Sequence, residues 1–221
     1  MLQILEPTGE VYEGQFGTFT VDRSDRLDVV IYRLSLAIAA LALLIGTAIA
    51  LTQPLSTSLL RILDLCFALF SMGLGLALWK IHIYLVPLHK ALQAFWLVGC
   101  LGAAWVLTHQ SETLVSALYS DALSLVLSGW IFVALTGIFF KEAFCFNRFE
   151  TKILTFVVPL LLGGHWLHLL PLAVEQTGLL LWATLMAVFA IRKLLQPIPP
   201  DLGDKSVFEY LHQKDTRNVA S

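Results

Sequence analysis

The stretch GIFFKEAFCFNRFETKILTFVVPLLLGGHWLH, residues 137–168, decides the fold. Two apolar runs flank a charged, aromatic hinge from Lys141 to Lys152. An apolar run of about 18 residues or more crosses a bilayer as a helix. The hinge therefore turns the chain at a membrane surface, where Phe144, Phe146 and Phe149 lie flat and the charges between them reach water. Working outward, spans are expected near residues 29–51 and 59–79, then a third ending near Leu107, then 122–140, 153–171 and 174–191.

Composition points the same way. The chain is 57% hydrophobic and 14% charged, whereas a soluble domain carries about 25% charged residues. A transmembrane barrel would need alternating runs of about 10 residues, and these runs are continuous. The expected fold is all-α, a polytopic transmembrane bundle of six spans (29–193) between a polar cap (1–28) and a polar tail (194–221). Both flanks are expected in the cytoplasm. The net charge of −2 gives no reason to expect a nucleic-acid partner, so the bilayer is the expected one. No basic lead-in precedes an apolar core at the N-terminus, and the first span reads as an uncleaved helix rather than a signal peptide.

Within the cap, VYEGQFGTFTV (11–21) alternates bulky with small or polar residues and reads as a short strand or hairpin. Asp25 or Asp28 is expected to cap the first helix, and Arg33 to snorkel outward from its first turn. Arg61 and Asp64 share a helix face and can pair. Ala68, Ser71 and Gly75 continue that face as a close-packing stripe. Residues 80–90, KIHIYLVPLHK, read either as a surface segment or as an early start of the third helix around Pro87. Residues 108–121 read as an amphipathic loop. Pro159 lacks the N–H that would bond the Thr155 carbonyl, so a kink is expected there. One amphipathic turn is expected around Phe208–Leu211.

Thirteen of the 14 basic residues fall on the side of the termini, the 80–90 loop and the hinge, and only Arg61 falls on the other. Such a bias marks the cytoplasmic side, which is why both termini are expected there. Six spans also read as two opposed triplets, an arrangement found in many transporters. Trp79 to Pro87 faintly echoes Trp166 to Pro171.

Neutral imidazole ligates haem, chlorophyll and metals. His165 and His168, three apart in span five, are the candidate cofactor ligands, with His165 about 20 Å deep. A haem shared with His82 or His89 is excluded by depth. A far-side cluster of His109, His165 and His168 with Glu112, Asp121 or Glu175 is allowed; the competing reading is histidines bonded to backbone and neighbours near an interface. The hinge supplies a candidate docking surface for lipid phosphates or an acidic partner: Lys141, Glu142, Phe144, Phe146, Arg148, Glu150 and Lys152. The same charges are expected to pair at the headgroup level, with Cys145 among them as a candidate reactive thiol. Asp64, Pro159 and Gly163 are the candidates for a transport path. No Ser/His/Asp arrangement, HExxH, phosphate-binding glycine loop or CxxC is present, which argues against the common enzyme classes.

The hinge and fifth span, KEAFCFNRFETKILTFVVPLLLGGH (141–165), resemble the signature of a family of integral membrane proteins of unknown function. That family occurs in cyanobacteria, with relatives in plastid-bearing organisms. YEGQFGTFTVDRSDRLDVVIYR (12–33) is similar to it too. The resemblance implies a cyanobacterial plasma or thylakoid membrane, and it carries no activity, cofactor or catalytic residue. Three functions are open: a non-enzymatic scaffold or assembly factor of a photosynthetic membrane complex; a small transporter or channel; and a pigment, haem or metal binder through His165 or His168.

Overall fold

The computed structural model describes residues 9–110, 112–207 and 210. A hairpin of β1 (Val11–Gly14) and β2 (Gly17–Thr20) leads into α1 (Arg23–Thr52), α2 (Thr57–Lys80) and α3 (Val86–His109). The short α4 (Leu114–Ser120) precedes α5 (Ala122–Phe146), α6 (Phe149–Trp166), α7 (Leu172–Leu195) and the single turn α8 (Pro199–Leu202). This is an all-α membrane bundle. Among the described residues, five helices are long and apolar enough to cross a bilayer. The sixth, α6, has 18 residues, about 27 Å of helix, and polar ends that dilute its hydropathy. The hairpin meets the chain beyond α8, where the Gln15 N–H donates to Asp204 Oδ2 at 2.6 Å. Both ends of the described chain thus meet each other. The turn expected around Phe208–Leu211 lies outside the described residues, except Tyr210, whose ring stacks on Phe16 at 4.1 Å.

Several helix ends differ from the expectation. The N-cap of α1 is Asp22, neither Asp25 nor Asp28; Asp22 and Asp25 form a reciprocal capping box. Arg23 to Asp28 therefore belong to the first helix. Asp28 instead accepts from Lys80 Nζ at 2.6 Å. Helix α5 runs on through most of the hinge to Phe146, so the break is only Asn147 and Arg148. Asn147 takes the left-handed conformation (φ 52°) that ends a helix. Helix α3 begins at Val86 with Pro87 in its first turn, a position where a missing N–H costs nothing. The expected 108–121 loop contains α4 instead. Its first N–H groups, of Leu114 and Val115, donate to the Asp64 carboxylate at 3.2 and 2.8 Å. No ion pair joins Asp64 to Arg61 among the described residues.

The long helices form a ring. Helix α1 packs on α2 and α7, α5 packs on α3 and α6, α6 meets α7, and α2 meets α3. The ring therefore follows sequence order, each long helix packing on the ones before and after it. Leu36, Leu74, Ile131, Leu135, Phe139, Met186 and Phe189 fill its interior. Glycines let α3 and α5 approach closely. A Cβ on Gly102 would stand 2.2 Å from the Leu127 carbonyl oxygen, and one on Gly99 2.5 Å from the Ile131 nitrogen. Exposed Trp79 and Tyr84 at one end, and Trp105, Tyr119 and Trp166 at the other, mark the two membrane–water levels.

Gly102→Ala should lower stability by about 1–3 kcal/mol, read as a fall in melting temperature in detergent. Gly129→Ala, where a Cβ meets open space, should match or exceed the wild type. A hydrogen bond from the Ser206 hydroxyl, then one from the Gln15 N–H, holds the Asp204 carboxyl below its ordinary value. Stability from a depressed carboxylate is present above the unfolded value and is lost as pH falls through the folded one. Protection of the Gln15 amide, relative to a free amide at the same pH, should hold from neutral pH to about 4 and fall below it.

Candidate functional site

The densest chemistry lies where α1, α5, α7 and α8 converge beneath the hinge. Glu142 sits one turn from the end of α5, and Lys193 sits in the last turn of α7. Pro197, Pro199 and Pro200 stop α7, because they lack the donors that would continue it. The chain folds back, and α8 brings Asp201 against the bundle. Lys193 Nζ meets Glu142 Oε2 at 2.6 Å and also pairs with Asp201 Oδ1. Asp201 Oδ2 receives Arg33 Nε at 2.7 Å. Two further Arg33 donors reach the Gln196 and Pro197 carbonyls. Glu142 Oε1 accepts from Lys141 Nζ at 2.9 Å and from the Tyr32 hydroxyl at 3.0 Å. The Phe146 ring lies under the Lys193 ammonium, with its centroid 4.0 Å away.

Glu142 and Lys193 are both 0% exposed, Asp201 5% and Arg33 6%. Charges so buried are tolerable only when paired and hydrogen-bonded, and here each one is. Arg33 does not snorkel outward as expected: the Asp201 carboxylate and two carbonyls draw its guanidinium into the bundle. The expected headgroup network is mostly interior. At its rim, Arg192 Nη1 donates to Glu150 Oε2 at 3.0 Å. Arg148 turns toward the Gln196 side chain and stands over the Phe146 ring.

The candidate docking residues thus divide. Glu142 and Glu150 are pinned inward, and Phe146 is held under cations. Phe144, Cys145, Phe149 and Lys152 remain exposed. Reading the sequence missed Tyr32, Arg33, Lys193 and Asp201 as members of this site. The one signal was a set of charges at the ends of apolar runs, with nothing to say which of them meet.

The far end is built differently. His165 and His168 do not share a helix face, because α6 stops at Trp166 and His168 lies beyond it with φ 54°. His165 Nδ1 bonds Glu175 Oε1 at 2.6 Å and Nε2 bonds the Tyr119 carbonyl at 2.9 Å, while the ring stacks on Tyr119. Ligation of a metal or pigment by His165 would have to break one of these bonds. His109 stacks on Trp105 instead of joining the pair. No group of three His, Cys, Asp or Glu is placed to hold a metal among the described residues. Pro159 and Gly163 line an apolar cavity of about 390 Å³ between α5 and α6, with Trp130 and Trp166. Asp64 does not line it and instead caps α4. Among the described residues, the middle turns of the six long helices carry no charge.

The chain belongs to a family of uncharacterized integral membrane proteins, DUF2301, whose model matches residues 76–210. No curated protein and no solved structure matches it. The matched stretch holds Glu142, Lys193 and Asp201, while Arg33 and the hairpin lie before it.

Lys193→Met should leave two carboxylates buried without a cation between them and cost roughly 3–5 kcal/mol. Lys152→Ala, at an exposed position of the same region, should stay within about 0.5 kcal/mol of the wild type. Melting curves of the purified variants check both.

Proposed function

We propose that this family member is a non-enzymatic scaffold or assembly factor that meets a larger membrane complex through the outer side of the α5–α6 bend. The division of the hinge carries this reading. Its acids are tied into α7, while Phe144 and Phe149 stand 85% and 74% exposed on the other side. Aromatic rings on a backbone that is already held lose little freedom when a partner covers them, which suits them to anchor an interface. The basic bias would set this bend and both termini in the cytoplasm. The resemblance in the hinge would set the complex in a cyanobacterial plasma or thylakoid membrane serving photosynthesis. A small transporter is the second reading. The kink expected at Pro159 and the reading of six spans as two opposed triplets favour it, and the uncharged middle turns weigh against it. Flux in proteoliposomes separates the two.

A tagged chain drawn from its native membrane in mild detergent should bring a partner in fixed stoichiometry. Phe144→Ala with Phe149→Ala should keep the melting temperature and release that partner. Recovery of the chain alone, or a partner indifferent to the double change, refutes the reading.

A further inference from the structure

Beside the buried charges, the α2–α3 loop, the last turns of α5 and the turn around α8 enclose a cavity of about 630 Å³, within the range of small-molecule sites. We propose that this cavity is a binding site for an anionic amphiphile, one negatively charged head group on a hydrocarbon chain, supplied by the surrounding bilayer. The inference does not depend on the scaffold reading.

Shape, level and charge agree. One part of the wall is polar, with His82, Tyr84 and Lys141, and another is apolar, with Leu88, Phe140 and Phe144. Phe140 and Phe144 are exposed and stack on each other at 6.4 Å, so the apolar side opens laterally toward lipid chains. Exposed Trp79 and Tyr84 place the polar side at the level of the head groups. The charges bonded together behind the wall do not balance. Among the described residues, Arg33, Lys141 and Lys193 pair with Glu142 and Asp201, which leaves one cation in excess; Asp28 and Asp25 also act on His82 in the wall, but Lys80 and Lys205 pair with them. In low-dielectric surroundings an excess charge attracts a counter-charge far more strongly than it does in water.

Lys141 is the cation that lines the cavity. Its ammonium has three donors, and one of them goes to Glu142. Asp201 also lines the wall, but Lys193, Arg33 and the Gln196 amide hold its oxygens, so it is already neutralised. Burial pushes the His82 imidazole below its ordinary value, so His82 adds a polar neutral group near pH 7. A single head-group charge on Lys141, with its chain along Leu88, Phe140 and Phe144, would balance the cluster and fill the apolar side.

Cys145 is exposed and lines the same cavity, which gives a reporter already in place. The full chain is reconstituted in nanodiscs of phosphatidylcholine alone or mixed with phosphatidylglycerol. Maleimide labelling of Cys145 is followed by peptide mass spectrometry, and retained lipid by native mass spectrometry. The expected result is one phosphatidylglycerol retained and labelling slowed several-fold in the mixed discs. Both effects should disappear in Lys141→Gln. Leu88→Trp, which fills the cavity and leaves every charge in place, should lose the retained lipid and keeps the test open if Lys141→Gln does not fold. Equal retention of the two lipids, or labelling indifferent to lipid charge, overturns the proposal. Equal slowing by inorganic phosphate in phosphatidylcholine discs overturns the amphiphile and leaves a site for a free anion.

Discussion

A lysine ammonium closed off from water between two carboxylates is the constraint on which the rest of the structure depends. A lone charge at that depth would be driven out or neutralised. Lys193 can stay only if α5 supplies Glu142 and the turn after α7 supplies Asp201. Asp201 in turn holds Arg33 on α1. Three stretches far apart in sequence, α1, α5 and the α7–α8 turn, therefore converge on one point, and their mutual positions follow from that point rather than from apolar packing alone. Leucines pack against lipid tails as readily as against each other, so an apolar bundle has little else to set its register at this end.

The two ends of the bundle solve the same problem in different ways. At the hinge end, full charges neutralise one another in the interior. At the far end, single polar groups satisfy helix termini. Asp64 receives the first N–H groups of α4, and His165 bridges α4 to Glu175 on α7. The far end is thus tied by hydrogen bonds near its surface, and the hinge end by ion pairs beneath its surface. His165, one of the two histidines that suggest a cofactor on paper, is part of that surface tie.

What could be read from the sequence follows from the range of each signal. The apolar runs, the hairpin and Pro87 in the first turn of α3 rest on neighbouring residues, and they were legible. Hydropathy placed charges at the ends of runs but could not tell a solvated charge from a partnered one. Arg33 looks like a residue reaching for water because its partner lies 168 positions away. Lys141 and Glu142 look like a break in the helix, yet α5 continues through them because Lys193 and Tyr32 meet Glu142 inside. The cap of α1 was misplaced within a run dense in acids, where Asp22, Asp25 and Asp28 are alike on paper and only backbone geometry separates their roles.

The brief turn α8 has a consequence for biogenesis. During synthesis, Arg33 emerges from the ribosome 168 residues ahead of Asp201. The first helix enters the bilayer before Asp201 exists to meet its guanidinium, whereas Lys193 follows its partner Glu142 and awaits only its second carboxylate. The charge cluster is therefore completed from its carboxyl-terminal side, and until the ribosome delivers Asp201, the Arg33 guanidinium depends on the insertion machinery or on water for shelter.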